Sequence, residues 1–316
     1  MNDQYPGYPM RIQARPGSVV ERAYAASSLP GRAWPMPKAI ASGMSPAPLD
    51  DLMYHGGKVV PEMEFQNVYL GATARWKASD VEAIDSAITR AMQHKGLNNV
   101  MSQYFPGAPL SCEGRQSIFF EDSVTTSVDE PDVRRIVTEL FDQGLIAKSD
   151  LDTCIFNLLL PPSTTLRLGA AFNSLGGLGG YHGSLHLERD GRQVTLYYSA
   201  NVYSQRLADG SENGIDAFDA SWKNVVGTLY HELNEFRTDP DVKDAIENRD
   251  NDFLGWSSRS GAEVGDQPIF KAGAANDLGL VFKMVSDKPG ARIPVQLMYS
   301  NTVHGAEGPI AKPAGG

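Results

Sequence analysis

Residues 228–242 read TLYHELNEFRTDPDV, and within them His231, Glu232 and Glu235 stand one and four positions apart. Residues four apart share one face of a helix, so the His231 ring and the Glu235 carboxylate can address one ion, with Glu232 displaced around the turn. Many metal-dependent hydrolases carry H-E-x-x-H at this spacing, and here a glutamate takes the place of the second histidine. Nitrogen and oxygen donors together suit a divalent cation, and three protein ligands leave one position open for water. Glu232 would then act as general base while the water attacks a polarised carbonyl. Zinc is the first expectation from the motif, while the extra negative charge weakens the cation as a Lewis acid and favours harder ions, so calcium or iron are admitted. An ordinary helix with a satisfied histidine and solvated glutamates would carry the same letters, so the neighbouring sequence has to decide.

Downstream, TDPDV supplies Asp239 and Asp241, and GAEVGDQP supplies Glu263 and Asp266 between glycines that permit tight turns. So many carboxylates repel one another unless something positive sits among them. Glu263 and Asp266 are expected to join His231 and Glu235 as metal ligands, with Asp239 and Asp241 supporting them or replacing one. A calcium site built from their oxygens alone is the competing arrangement. Upstream, GGLGGYHGS (residues 176–184) lacks the G-K-[ST] ending of a phosphate loop and leads into a strand, which argues against nucleotide binding. Its glycines predict a mobile loop that carries His182 toward the substrate. His55, His94, His186 and His304 have no chemical neighbours in sequence. Neither Cys112 nor Cys154 belongs to a C-x-x-C pair, which leaves one bridge or two separate thiols.

The elements that must hold these residues follow from periodicity. Phe218, Trp222, Val225, Val226, Leu229, Leu233 and Phe236 recur at helical spacing and Pro240 stops their helix. Residues 65–76 alternate as a strand, and SDVE at residues 79–82 is a capping box ahead of a second helix. A third helix is predicted over residues 132–143. CIFNLLLPP reads as a buried strand, Asp190-Gly191 as the turn of a hairpin, and IPVQLMYSN as a last strand. Strands and helices interleave, so the expected fold is α/β, a single domain over residues 49–316 with a mixed twisted sheet. Residues 1–48 are rich in Pro, Gly, Ala and Ser and predict an extended arm, either disordered or wrapped on the body through Tyr5, Tyr8 and Trp34.

The chain has 316 residues, a formal net charge of -10 and a pI near 5.1. Without clustered Lys and Arg, no nucleic-acid or anionic-membrane partner is expected. No apolar run approaches the roughly 18 residues of a membrane span, so no transmembrane segment is expected. The N-terminus lacks the basic-then-apolar order of a signal peptide, so a soluble protein is expected, its compartment and oligomeric state open.

The order YHGG, VYLGATARWKASDVEAIDSAI, GYHGS before YYSANVY, then YHELNEFRTDPDV and GAEVGDQP resembles the phosphate-induced protein 1 (EXORDIUM-like) family over residues 52–269. The resemblance implies that His182, His231, Glu232, Glu235, Asp239, Glu263 and Asp266 form one constellation in a zincin-like fold. The polar stretch KDAIENRDND and the Pro-rich arm depart from the family pattern. The expected function is a metal-dependent hydrolase of peptide or amide bonds, with a peptide or small-molecule substrate. A non-catalytic surface module with a structural metal, binding glycan or peptide, is the second expectation, and an iron-dependent tailoring enzyme the third.

Overall fold

The run CIFNLL has an apolar residue at almost every position, so a strand formed from it must be covered on both faces. All six of its residues are buried, and it lies inside the sheet. The computed structural model describes residues 12–15, 17–19, 40–121, 126–146, 150–275 and 277–314. The sheet strands are Ile12–Ala14 (β1), Glu62–Leu70 (β2), Ser111–Phe120 (β3), Cys154–Leu159 (β4), Leu178–Arg189 (β5) and Arg192–Asn201 (β6), in the spatial order β1-β5-β6-β4-β2-β3. Strands β6, β4, β2 and β3 run parallel, and β5 is antiparallel to both its neighbours. The helices are Ala78–Met92 (α1), Lys95–Met101 (α2), Glu130–Asp142 (α3), Ser221–Thr238 (α4), Val242–Asn248 (α5) and Asp266–Ala274 (α6). A ribbon of Phe282–Lys288 (β7) and Ala291–Gln296 (β8) packs beyond them.

The alternation of β4 sorts the core. Ile155 and Leu159 face Ile84 and Ile88 of α1 and Leu229, Leu233 and Phe236 of α4. Phe156 and Leu158 point the other way, onto Val133, Ile136, Val137 and Leu140 of α3. The fold is therefore α/β, a mixed sheet with helices on both faces. Among the described residues no helix is long and apolar enough to cross a membrane.

Several sequence expectations are corrected at their edges. The first strand starts at Glu62 and ends at Leu70, so Trp76 lies beyond it. Helix α1 begins at Ala78 with Lys77 before it and no side-chain cap, so Ser79 is already helical and the SDVE box does not form. Helix α3 begins at Glu130, where Asp129 and Asp132 cap one another reciprocally and Pro131 occupies the first turn. IPVQLMYSN is broken after Gln296 and resumes at Tyr299–Ser300. KDAIENRDND, read as a polar insertion, contributes to α5. Tyr5, Tyr8, Trp34 and most of the arm over residues 1–48 lie outside the described residues. The described part supplies β1, and Ile40 bridges Glu307.

The hairpin forms as expected, with Asp190 (φ 53°) and Gly191 (φ 69°) both left-handed, as the tight two-residue turn requires. Its register has a consequence for function. Cross-strand pairing aligns His182 with Ser199, Ser199 with Asn157, and Asn157 with Asn67. These buried polar residues form a row across four strands on the face covered by α1 and α4. Ser199 Oγ donates to Asn157 Oδ1 (2.8 Å), Asn157 Nδ2 to Asn67 Oδ1 (2.9 Å) and Asn67 Nδ2 to Asp85 Oδ1 (2.8 Å). A one-residue slip would turn the whole row to the opposite face, so satisfying it pins the register.

Both cysteines are free and buried. Burial pushes the Cys112 thiol up to about 11 and the Cys154 thiol up to about 12, leaving almost no thiolate at neutral pH. A soluble aromatic disulfide reagent is expected to titrate neither thiol in the native protein and both after unfolding in guanidinium. Reaction of either in the native state within minutes would contradict this burial.

Candidate metal centre

Helix α4 packs between the sheet, α1 and β8, and every residue over 224–238 is buried. Its polar side chains must therefore find partners inside the protein. His231, Glu232 and Glu235 are fully enclosed, as are His182, Asp239, Glu263 and Asp266.

The His231 tautomer follows from its neighbour. Gln296 Nε2 donates to the Gly265 carbonyl (2.6 Å), which turns Gln296 Oε1 toward the imidazole, 3.1 Å from His231 Nδ1. That oxygen only accepts, so Nδ1 carries the proton and Nε2 presents a lone pair. Burial lowers the His231 pKa to about 4 against the opposing pull of Asp266 and the Gln296 hydrogen bond, so the ring is neutral at pH 7. Nε2 stands 2.9 Å from Glu235 Oε1 and 3.9 Å from Asp266 Oδ1, yet it makes no hydrogen bond. Two electron-rich atoms at that distance need a proton or a cation between them.

Glu235 is held well above the usual carboxylate range by burial, although the backbone N–H groups of Gly265 and Asp266 pull the other way. Gly265 N donates to Glu235 Oε1 at 3.2 Å. A side chain at position 265 is excluded, because its Cβ would lie 2.4 Å from His231 Nδ1. The glycine of GAEVGD is thus required for the ring to approach. Asp266 opens α6 and fixes the turn by accepting from Glu263 N (3.0 Å).

His182 arrives from the sheet. The expected glycine-rich loop is instead strand from Leu178 onward, and His182 lies within β5 with its side chain against α4. Gly179 and Gly180 allow close packing there: a Cβ on Gly180 would meet Glu232 Oε1 and Thr228 Cγ2, each at 3.0 Å. His182 Nδ1 is 3.2 Å from Glu232 Oε2 and 3.7 Å from Glu235 Oε2. Its Nε2 is 3.3 Å from the Asp239 carbonyl oxygen and 3.7 Å from Glu263 Oε1.

Both Glu263 side-chain oxygens are buried without a hydrogen bond. Burial raises the Glu263 pKa, and repulsion from Glu235, Asp239, Asp266 and Glu232 raises it further. Asp239 spends Oδ1 on Gly255 N (2.9 Å), while Oδ2 has no partner and burial raises its pKa. The buried Arg237 of the same helix points elsewhere, donating to Asn98 Oδ1 (3.1 Å) and the Ser111 carbonyl (3.3 Å).

Among the described residues, two groups of buried donors could hold a metal ion: His182, Glu232 and Glu235, and His231, Glu235 and Asp266. Of the residues singled out in the sequence, Glu263, expected as a ligand, and Asp239 belong to neither group although both border His182, and Asp241 lies outside them as well. It accepts from Tyr197 Oη (2.7 Å), whose hydroxyl also accepts from Lys58 (3.1 Å), and this network stands apart from both groups. Sequence reasoning missed Gln296, whose only signal was a polar letter inside the apolar IPVQLM. It also missed Gln13 of β1, which donates to Gln296 Oε1 (2.9 Å) and carried no signal at all. The remaining histidines have local roles: His94 caps α2, His55 meets Ser257, His186 meets Asp244 and His304 meets Asp51. No family model matches the chain, and no curated protein matches it.

Proposed function

We propose that the chain is a metal-dependent hydrolase acting on peptide or amide bonds, with a zincin-like placement of its motif helix against the sheet. The observation that carries this reading is the 2.9 Å approach of His231 Nε2 and Glu235 Oε1 without a hydrogen bond. His231, Glu235 and Asp266 would hold the ion, zinc in first place. When bound, a divalent ion supplies acidified water and a polarised carbonyl. Gln296 keeps the His231 tautomer, and Gly265 lets the ring sit close to α6. Glu232, oriented by His182, receives the proton of the attacking water. The resemblance of the motif order to that of phosphate-induced protein 1 proteins supports treating these residues as one site.

Complete enclosure of all seven side chains favours a second reading, a closed structural ion in a module that binds glycan or peptide. Metal analysis of the purified chain and assay against a broad peptide library separate the two. On the hydrolase reading the wild type carries a divalent ion and cleaves. Glu232→Gln keeps the ion held by His231 and loses activity by roughly 10²–10⁴-fold. Bound metal without cleavage, together with a lower melting temperature on chelation, selects the structural module, and no bound metal overturns both.

A further inference from the structure

We infer that the centre holds two first-row divalent cations bridged by Glu235, the second lying among His182, Glu232 and Glu235. The inference rests on the metal reading above for the first ion only. Glu235 directs its two oxygens to different histidines, Oε1 to His231 (2.9 Å) and Oε2 to His182 (3.7 Å). A carboxylate divided in this way is a bridging ligand, and sites of histidines with shared carboxylates are the usual hosts of paired ions. Oε2 of Glu235 is fully buried and has no hydrogen bond, so it is aimed at the second position with nothing to satisfy it.

The His182 ring agrees. Both of its nitrogens face acceptors, Nε2 the Asp239 carbonyl (3.3 Å) and Nδ1 Glu232 Oε2 (3.2 Å), so with the proton on Nε2 the Nδ1 lone pair is directed at Glu232 Oε2 and Glu235 Oε2, where a cation would join them. Charge points the same way. Glu232, Glu235, Asp239, Glu263 and Asp266 are buried together, more acceptor oxygens than one dication coordinates, and Glu235 Oε2 and both Glu263 oxygens have no hydrogen bond. The imidazole donor at each position selects manganese, iron or zinc over calcium. In this arrangement His182 and Glu232 are ligands of the second ion, in place of the orienting and general-base roles they have beside a single ion.

The test uses the full chain stripped of metal, titrated with Mn²⁺, with bound ions counted after gel filtration and the spins read by electron paramagnetic resonance. Two Mn²⁺ per chain with an exchange-coupled spectrum are expected in the wild type. His182→Ala and the isosteric Glu232→Gln are each expected to bind one, uncoupled, so a folding failure of the first leaves the second and the wild-type spectrum to decide. One uncoupled Mn²⁺ in the wild type, unchanged in Glu232→Gln, overturns the second ion and leaves the single-ion hydrolase standing. No Mn²⁺ bound removes both.

Discussion

Chelation at pH 7.5 is expected to lower the melting temperature by roughly 8–16 °C, and by much less at pH 5. An ion that binds only the folded chain, at a thousand times its dissociation constant, stabilises by about 4 kcal/mol, and each kcal/mol moves the midpoint of a large domain by roughly 2–4 °C. The pH dependence comes from the groups the ion leaves behind. Glu235, Asp239 and Glu263 have folded pKa values raised by burial, so the metal-free fold binds protons that the unfolded chain has released. Their contribution is complete below the ordinary carboxylate range and is lost as pH rises through the raised values. His231 acts in the opposite sense. Its folded pKa of about 4 lies below the unfolded 6.5, so its contribution is present above pH 6.5 and is lost as pH falls through 4. Above pH 6.5 the histidine adds no slope, and the three carboxylates make the metal-free protein less stable as pH rises. Protons replace the ion at low pH, which shrinks the effect of chelation. Calorimetric melts from pH 5 to 8.5 with and without chelator check this. A metal-free melting temperature that climbs steadily across that range would contradict the arrangement.

Glu235→Gln is expected to abolish metal binding and yet raise the melting temperature of the metal-free protein, by an amount corresponding to roughly 1–4 kcal/mol. The amide has the shape of the carboxylate, and its oxygen can still accept from Gly265 N. Its NH₂ can donate toward the His182 ring, where the carboxylate offers one more acceptor among acceptors. The amide also removes the cost, at neutral pH, of keeping the buried Glu235 carboxyl either protonated or charged, a cost that only a cation removes in the wild type. The comparison is made between metal-free proteins, because the loaded wild type gains the binding energy the variant has lost. A metal-free variant that melts below metal-free wild type would show that Glu235 is satisfied by protein groups alone. Such opposition between stability and binding is expected where a site is built for something other than folding.

How much of this was legible in the sequence depends on the range of the interaction. Helix α4, its stop before Pro240 and the shared face of His231 and Glu235 follow from spacing within a few residues. So do the Asp190-Gly191 turn and the burial of CIFNLL. The SDVE box failed because the helix already starts at Ala78, directly after an extended Lys77, and local capping chemistry does not choose between starts two residues apart. The glycine run failed as a loop because strand pairing with β1 and β6 satisfies its backbone, which no local preference reports.

By itself the sequence determined which residues could be donors and that two of them lie one helical turn apart, since covalent spacing and helix geometry suffice for that. Only the tertiary structure decided the rest. It carried His182 to Glu232 through sheet register, removed Asp241 to a pairing with Tyr197, and brought Gln296 to orient His231. It also divided the two oxygens of Glu235 between two histidines. The physical reason is that burial and hydrogen-bond direction depend on which surfaces are pressed together, and those surfaces come from segments far apart in the chain.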